Sequence, residues 1–143
     1  MKQQCIVKNI KQTKKLASKF AKTLVGGDKI LLNGDLGAGK TTFTRFLAQA
    51  LGVKDEVTSP TFTIMKEYQG KKYKLLHFDM YRLDGGQEAN EFGFEDYILK
   101  TDFNSIIVIE WSERVKDMLT GEYIVINIER IDENKRMFTI NRG

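Results

Sequence analysis

The run Gly34-Asp35-Leu36-Gly37-Ala38-Gly39-Lys40-Thr41 constrains the fold of this chain more than any other stretch. It meets the pattern G-x-x-x-x-G-K-[ST], the phosphate-cradling P-loop. Such a loop turns successive backbone N–H groups inward toward phosphate oxygens. The dihedrals and close approaches this needs are obstructed by side chains, which accounts for Gly34, Gly37 and Gly39. Lys40 can then reach β- and γ-phosphates, and the Thr41 hydroxyl can ligate Mg²⁺. The motif needs a buried strand before it and a helix after it. Ile30, Leu31 and Leu32 supply the apolar strand. Phe43, Phe46, Leu47, Ala50 and Leu51 recur at helical spacing, and Gly52 ends the helix.

A chain of 143 residues is expected to form one domain, burying about two-thirds of its unfolded surface. That leaves no room for a second catalytic domain. Hydrophobic residues make up 41% and charged residues 29%, the balance of a soluble globular protein, and no apolar run approaches membrane-spanning length. The opening Met-Lys-Gln-Gln-Cys lacks an apolar signal region, and the single Cys5 can staple nothing within the chain. No zinc-ligand spacing surrounds Cys5 or the single His77. A reducing cytoplasm is the expected compartment. The net charge of +4 tolerates a polyanionic neighbour without requiring one.

Along the chain, Gln4 to Ile10 predicts a short edge strand and Lys11 to Val25 a helix. On that helix Leu16, Ala17, Phe20, Ala21 and Leu24 share one face and Lys11, Lys15, Lys19 and Lys22 the other. The lysine face reads as a solvated surface, with RNA or an acidic partner as the alternative. Beyond the P-loop helix, Ser59-Pro60-Thr61-Phe62-Thr63 leads into a hairpin, with strands over Phe62–Tyr68 and Tyr73–Asp79 and a turn at Gln69–Lys72. A turn centred on Gly70 and Lys71 sets Phe62 opposite Asp79, so that the Thr61 hydroxyl and the Asp79 carboxylate share one end. Leu83-Asp84-Gly85-Gly86-Gln87 is similar to the signature of transporter ATPases, but it follows Asp79 here instead of preceding it. Glu88 to Lys100 predicts an acidic helical stretch. Ser105 to Ile109 carries four consecutive β-branched residues and predicts a strand buried on both faces, with Glu110 at its end. Trp111 suits a core cap, a stacking surface or a partner interface. Ser112 is placed to cap a helix through Leu119, and Tyr123–Arg130 with Met137–Asn141 predicts a hairpin that extends the sheet.

A P-loop lysine and threonine, a hydroxyl-rich segment and two acidic strand ends together suit a Mg²⁺-dependent nucleoside triphosphatase. Asp79 and Glu110 compete for the metal; Glu110, at the end of the more apolar strand, is the favoured ligand or water-orienting group. No Asn-Lys-x-Asp sequence supports guanine recognition, so ATP is the expected nucleotide.

Gly34 through Phe43, Ser59-Pro60-Thr61-Phe62-Thr63, His77-Phe78-Asp79-Met80-Tyr81-Arg82-Leu83, Gly93-Phe94-Glu95-Asp96-Tyr97 and Glu110-Trp111 together resemble the bacterial TsaE (YjeE) family. The resemblance runs from the first helix to about Arg114. It implies a P-loop NTPase-like α/β fold, a three-layer sandwich around a mixed, mostly parallel sheet with antiparallel hairpins. It also implies weak ATP hydrolysis by a protein accessory to the TsaD and TsaB pair, which transfers threonylcarbamoyl to tRNA. On that resemblance Asp35, Leu36, Gly37, Ala38, Gly39, Lys40, Thr41 and Thr42 hold the nucleotide, with Thr13 near its base. Thr41 and Glu110 take the Mg²⁺, Asp79 takes its second shell or a water, and Thr61, with Ser59, senses the γ-phosphate. Gly85-Gly86-Gln87 and the C-terminal hairpin depart from the family pattern. The rival readings are a small-molecule P-loop kinase and a non-hydrolysing nucleotide switch. Direct contact with tRNA is left open.

Overall fold

The structure, a computed structural model, describes residues 2–35, 37–58, 65–80, 96, 103–112, 119 and 122–142. Seven strands form one sheet: β1 (Lys2–Val7), β2 (Lys29–Asn33), β3 (Met65–Gln69), β4 (Lys74–Asp79), β5 (Ser105–Glu110), β6 (Ile124–Arg130) and β7 (Arg136–Asn141). Their order across the sheet is β1-β7-β6-β2-β5-β4-β3. The four central strands β6, β2, β5 and β4 run parallel, and β7, β1 and β3 join antiparallel at the two sides. The expected mixed sheet with antiparallel hairpins is the one observed, and the C-terminal hairpin lies between β2 and β1.

Every residue of β5 is buried, as its run of branched apolar side chains requires of a central parallel strand. Alternation then divides the core. Ile106 and Val108 join Ile30, Leu32, Ile126 and Phe138 on one face, beneath helices α1 (Ile10–Ala21) and α2 (Lys40–Ala50). Ile107 and Ile109 join Leu76, Phe78 and Met80 on the other. Phe43 of α2 is fully buried between Phe20 of α1, at 6.1 Å between ring centroids, and Phe138 of β7, at 5.2 Å. Burial of such a side chain contributes about 2–3 kcal/mol. The acidic stretch expected over Glu88 to Lys100 lies outside the described residues except at Asp96, and the helix expected from Ser112 to Leu119 except at its two ends.

The first helix, expected to run to Val25, ends at Ala21, and two further expectations need correction. The first strand stops at Val7, short of Ile10, because Asn9 is a helix cap. The Asn9 side chain accepts the Gln12 N–H at 2.9 Å, and the Gln12 side chain accepts the Lys8 N–H at 2.7 Å, so the chain turns into α1 there. The β3–β4 pairing is displaced by two residues, with Met65 facing Phe78 where the expected register would set Leu76. The turn is drawn onto the end of α2: Gly70 N–H donates to Tyr73 O at 3.0 Å and Lys71 N–H to Leu51 O at 2.9 Å. A shift of two preserves which face each side chain takes. Thr61 and Phe62, whose position opposite Asp79 the expected register implied, lie outside the described residues.

Candidate nucleotide site

Strand β2 ends at Asn33 and α2 starts at Lys40, so the glycine-rich loop crosses from the carboxyl edge of the sheet to a helix N-terminus. Open α/β sheets bind ligands at that edge. Two glycines are required here for different reasons. At Gly34 a β-carbon would stand 2.8 Å from Ile128 O and 3.1 Å from the Ala38 β-carbon, so the loop's close approach to β6 excludes a side chain. At Gly39, the cap of α2, φ is 108°, a conformation that L side chains avoid, although the nearest atom to an added β-carbon is 4.0 Å away.

Lys40 is only 6% exposed. Its ammonium donates to Gly34 O at 2.5 Å and stands 3.5 Å from the centroid of the Trp111 ring. Trp111 is the one described non-glycine residue with positive φ, at 58°, and it packs against the second apolar cluster. Of the readings open for Trp111, the structure bears on the core cap: its ring packs, partly buried, against that cluster and faces the Lys40 ammonium. Thr41 and Thr42 follow on the first turn of α2, and the Thr44 hydroxyl donates to Lys40 O at 2.9 Å.

Asp79 and Glu110 are the last residues of adjacent parallel strands and pair in register. Both belong to the face that α2 covers, together with His77, two residues before Asp79 on β4. Glu110 is 2% exposed and accepts a short hydrogen bond from Nε2 of fully buried His77. A carboxylate this deep needs such a partner, because burying it unpaired costs several kcal/mol. Beside them the Ser112 hydroxyl donates to Asn33 Oδ1 at 2.9 Å, and Asn33 Nδ2 donates to Asn127 Oδ1 at 3.3 Å, tying β5, β2 and β6 together at the edge.

A cavity of about 590 Å³ adjoins the loop, lined by Asn9, Thr13, Gly39, Thr42, Asn134 and Arg136 among others. Thr13, buried on the first turn of α1, therefore does lie beside the P-loop, with its hydroxyl on Asn9 O at 3.3 Å. The far wall is the β6–β7 turn. Arg136 anchors it: Nε donates to Ala38 O at 3.0 Å, and Nη1 donates to Asp132 O at 2.7 Å and Lys135 O at 3.0 Å. The turn itself is held by the Asp132 carboxylate, which accepts the N–H groups of Asn134 and Lys135, each at 2.8 Å. The Lys135 and Asn134 amides hold that exposed carboxyl below its ordinary value.

The fold thus brings Thr13, the loop residues Asp35 and Gly37 to Thr42, Asp79 and Glu110 to one edge; Leu36 and Thr61 lie outside the described residues. Among the described residues no group of three or more His, Cys, Asp or Glu side chains is arranged to hold a metal alone. Two carboxylates in register on adjacent strand ends suit Mg²⁺, which takes one or two carboxylates and completes its shell with phosphate oxygens and water. Two contributors escaped the sequence reading. His77 interrupts an apolar strand two residues before Asp79, hence on the same face, and that parity was its signal. Arg136 carried no signal, since it reaches Ala38 from 98 positions away.

The family model described as "Threonylcarbamoyl adenosine biosynthesis protein TsaE" matches residues 7–138. The tRNA threonylcarbamoyladenosine biosynthesis protein TsaE of Rickettsia felis is 42% identical over 136 residues, which cover 94% of this chain and 77% of that protein. The protein of the same name from Aquifex aeolicus is 42% identical over 139 residues, covering 96% of this chain and 94% of that one. Among solved structures, Bacillus subtilis YdiB is similar with a TM-score of 0.78 at 32% identity, covering 100% of this chain and 87% of that one.

Proposed function

The chain belongs to the TsaE family, and from that premise we propose that it binds ATP with Mg²⁺ and hydrolyses it slowly alone. Its work is accessory to a TsaD and TsaB pair that transfers threonylcarbamoyl to tRNA. The observation that carries the ATPase reading is the convergence of buried Lys40 at the start of α2 with Asp79 and Glu110 in register on neighbouring strand ends.

In this reading the loop amides and the N-terminus of α2 receive the phosphates. The Lys40 ammonium exchanges Gly34 O and the Trp111 ring for phosphate oxygens. Thr41 and Glu110 hold the metal, with Asp79 on its water shell; bound Mg²⁺ supplies neutralisation of charge on the transferring phosphoryl group. Thr61 and Ser59 answer to the γ-phosphate. The adenosine lies toward the cavity between α1 and the β6–β7 turn, with Thr13 on its wall.

The test is phosphate release from MgATP by the purified chain, alone and with its TsaD and TsaB pair. A slow basal rate that rises with the pair is expected. A rate indifferent to the pair removes the accessory role, and transfer of phosphate to a small acceptor instead of water makes the chain a kinase.

A further inference from the structure

Of the buried polar groups among the described residues, His77 has the least evident reason to be where it is. It stands in β4 between Leu76 and Phe78, fully buried, in a strand that is otherwise apolar from Leu75 until its final Asp79. Its Nδ1 is buried and has no hydrogen-bond partner among the described residues, while Nε2 meets Glu110 Oε2. An aliphatic residue would fill this position without leaving a polar atom unsatisfied, so packing does not account for histidine. The Glu110 carboxylate accounts for half of the ring, the Nε2 half.

We propose that His77 is a positioning residue for Glu110, its Nε2–H holding one carboxylate oxygen so that the group's remaining acceptor capacity is presented at the sheet edge toward the metal and the attacking water. The inference rests on the reading of Glu110 as a participant in ATP hydrolysis. The geometry supplies the means. His77 pairs in register with Val108, so it sits one pleat behind Glu110 on the adjacent parallel strand and reaches the carboxylate from inside the core. A carboxylate can accept about four hydrogen bonds. One fixed from behind sets the side chain's rotamer and leaves the other lone pairs for chemistry, in the way that hydrogen bonds to metal-ligating side chains orient them. Nε2 is the donating nitrogen because an ionised carboxylate only accepts.

The chain's single histidine makes the pairing directly observable. With ¹⁵N-labelled histidine, one ring reports, and a slowly exchanging Nε2 proton shifted downfield is expected in the wild type and altered in Glu110→Gln. A ring signature that Glu110→Gln leaves unchanged would overturn the pairing, and this readout needs no turnover. Function is read with two polar variants of similar bulk. The amide nitrogen of Gln reaches the place of Nε2, whereas that of Asn reaches only the place of Nδ1. His77→Asn is expected to lose kcat by about 10- to 100-fold with nucleotide affinity retained, and His77→Gln to recover most of it. Equal behaviour of the two variants overturns the inference, as does a wild-type rate in His77→Asn beside a disabled Glu110→Gln. Full turnover by Glu110→Gln would instead overturn the reading of Glu110 itself, with the ring signature still deciding whether the pair exists.

Discussion

Substituting Gly34 and Gly39 separates the two physical demands that a P-loop places on glycine. In Gly34→Ala the new methyl meets Ile128 O at 2.8 Å, the Ala38 β-carbon at 3.1 Å and the Ile128 β-carbon at 3.5 Å. The first obstacle is backbone, so no rotamer change relieves it, and the loop must lift from β6 at a cost of about 1–3 kcal/mol. In Gly39→Ala nothing approaches within 4.0 Å, and the cost is that of holding φ at 108°, again about 1–3 kcal/mol. For a chain of 143 residues each kcal/mol lowers the melting temperature by about 3 °C. The two alanine variants are therefore alike in size, and asparagine tells them apart. Asn tolerates left-handed backbone, so Gly39→Asn should melt above Gly39→Ala. At Gly34 its larger side chain deepens the clash, so Gly34→Asn should melt below Gly34→Ala. Thermal unfolding of the four variants by circular dichroism gives the ranking. The same order at both positions would refute the distinction between crowding and dihedral strain. Nucleotide affinity should fall most in the Gly34 pair, since lifting the loop also moves the carbonyl that Lys40 contacts.

Lys40→Ala should abolish nucleotide binding or turnover, while Glu110→Ala should keep much of the binding and lose turnover; equilibrium binding beside phosphate release distinguishes them. Trp111 is the chain's only tryptophan, so MgATP should change its emission as the Lys40 ammonium leaves the ring, and Lys40→Met should already show altered emission and no response to nucleotide. Arg136→Ala should cost about 1–2 kcal/mol in denaturant unfolding and raise KM for ATP, and Arg136→Lys should not restore either, because a lysine cannot hold Ala38 O and the hairpin carbonyls together. Asp132 has a folded pKa below its ordinary value of 3.8, so the stability it contributes is complete above that pH and is lost as the pH falls through the lower folded value. Asp132→Ala should accordingly destabilise the protein at neutral pH and match the wild type in strong acid, as melting curves between those limits would record.

What the sequence disclosed and what it withheld divide by the range of the interaction. The loop and its flanks were legible because the glycine, lysine and hydroxyl spacing is covalently local, and β5 because four branched residues in a row have few other places to go. The end of β1 was misplaced where a local signal was overlooked: Asn9 with Gln12 three positions later is a helix start. The β3–β4 register turned instead on contacts between the turn and α2, which hairpin geometry alone does not contain. Arg136 lay beyond reach as a functional candidate, since it matters only through a partner set by sheet order, Ala38 across β6 and β2; the parity of His77 with Asp79 was readable, but its partner Glu110 follows only from the β4–β5 pairing.

That sheet order also explains why the polar residues gather where they do. Strands β2, β5 and β4 each run through the core as apolar side chains, His77 of β4 excepted, and end on a polar one, Asn33, Glu110 and Asp79. In an antiparallel sheet such endings would alternate between two edges. Because these three strands are parallel, all three fall at one edge, together with the loop that leaves β2. A carboxylate at the end of a buried strand then has two sources of compensation, the core behind it and whatever cation or donor lies in front. Asp79 is partly buried, whereas Glu110 is buried and meets a histidine from behind. The two acidic residues thus share a register but differ in depth, and in the role proposed for His77 the histidine behind Glu110 sets that carboxylate's orientation before any ligand arrives.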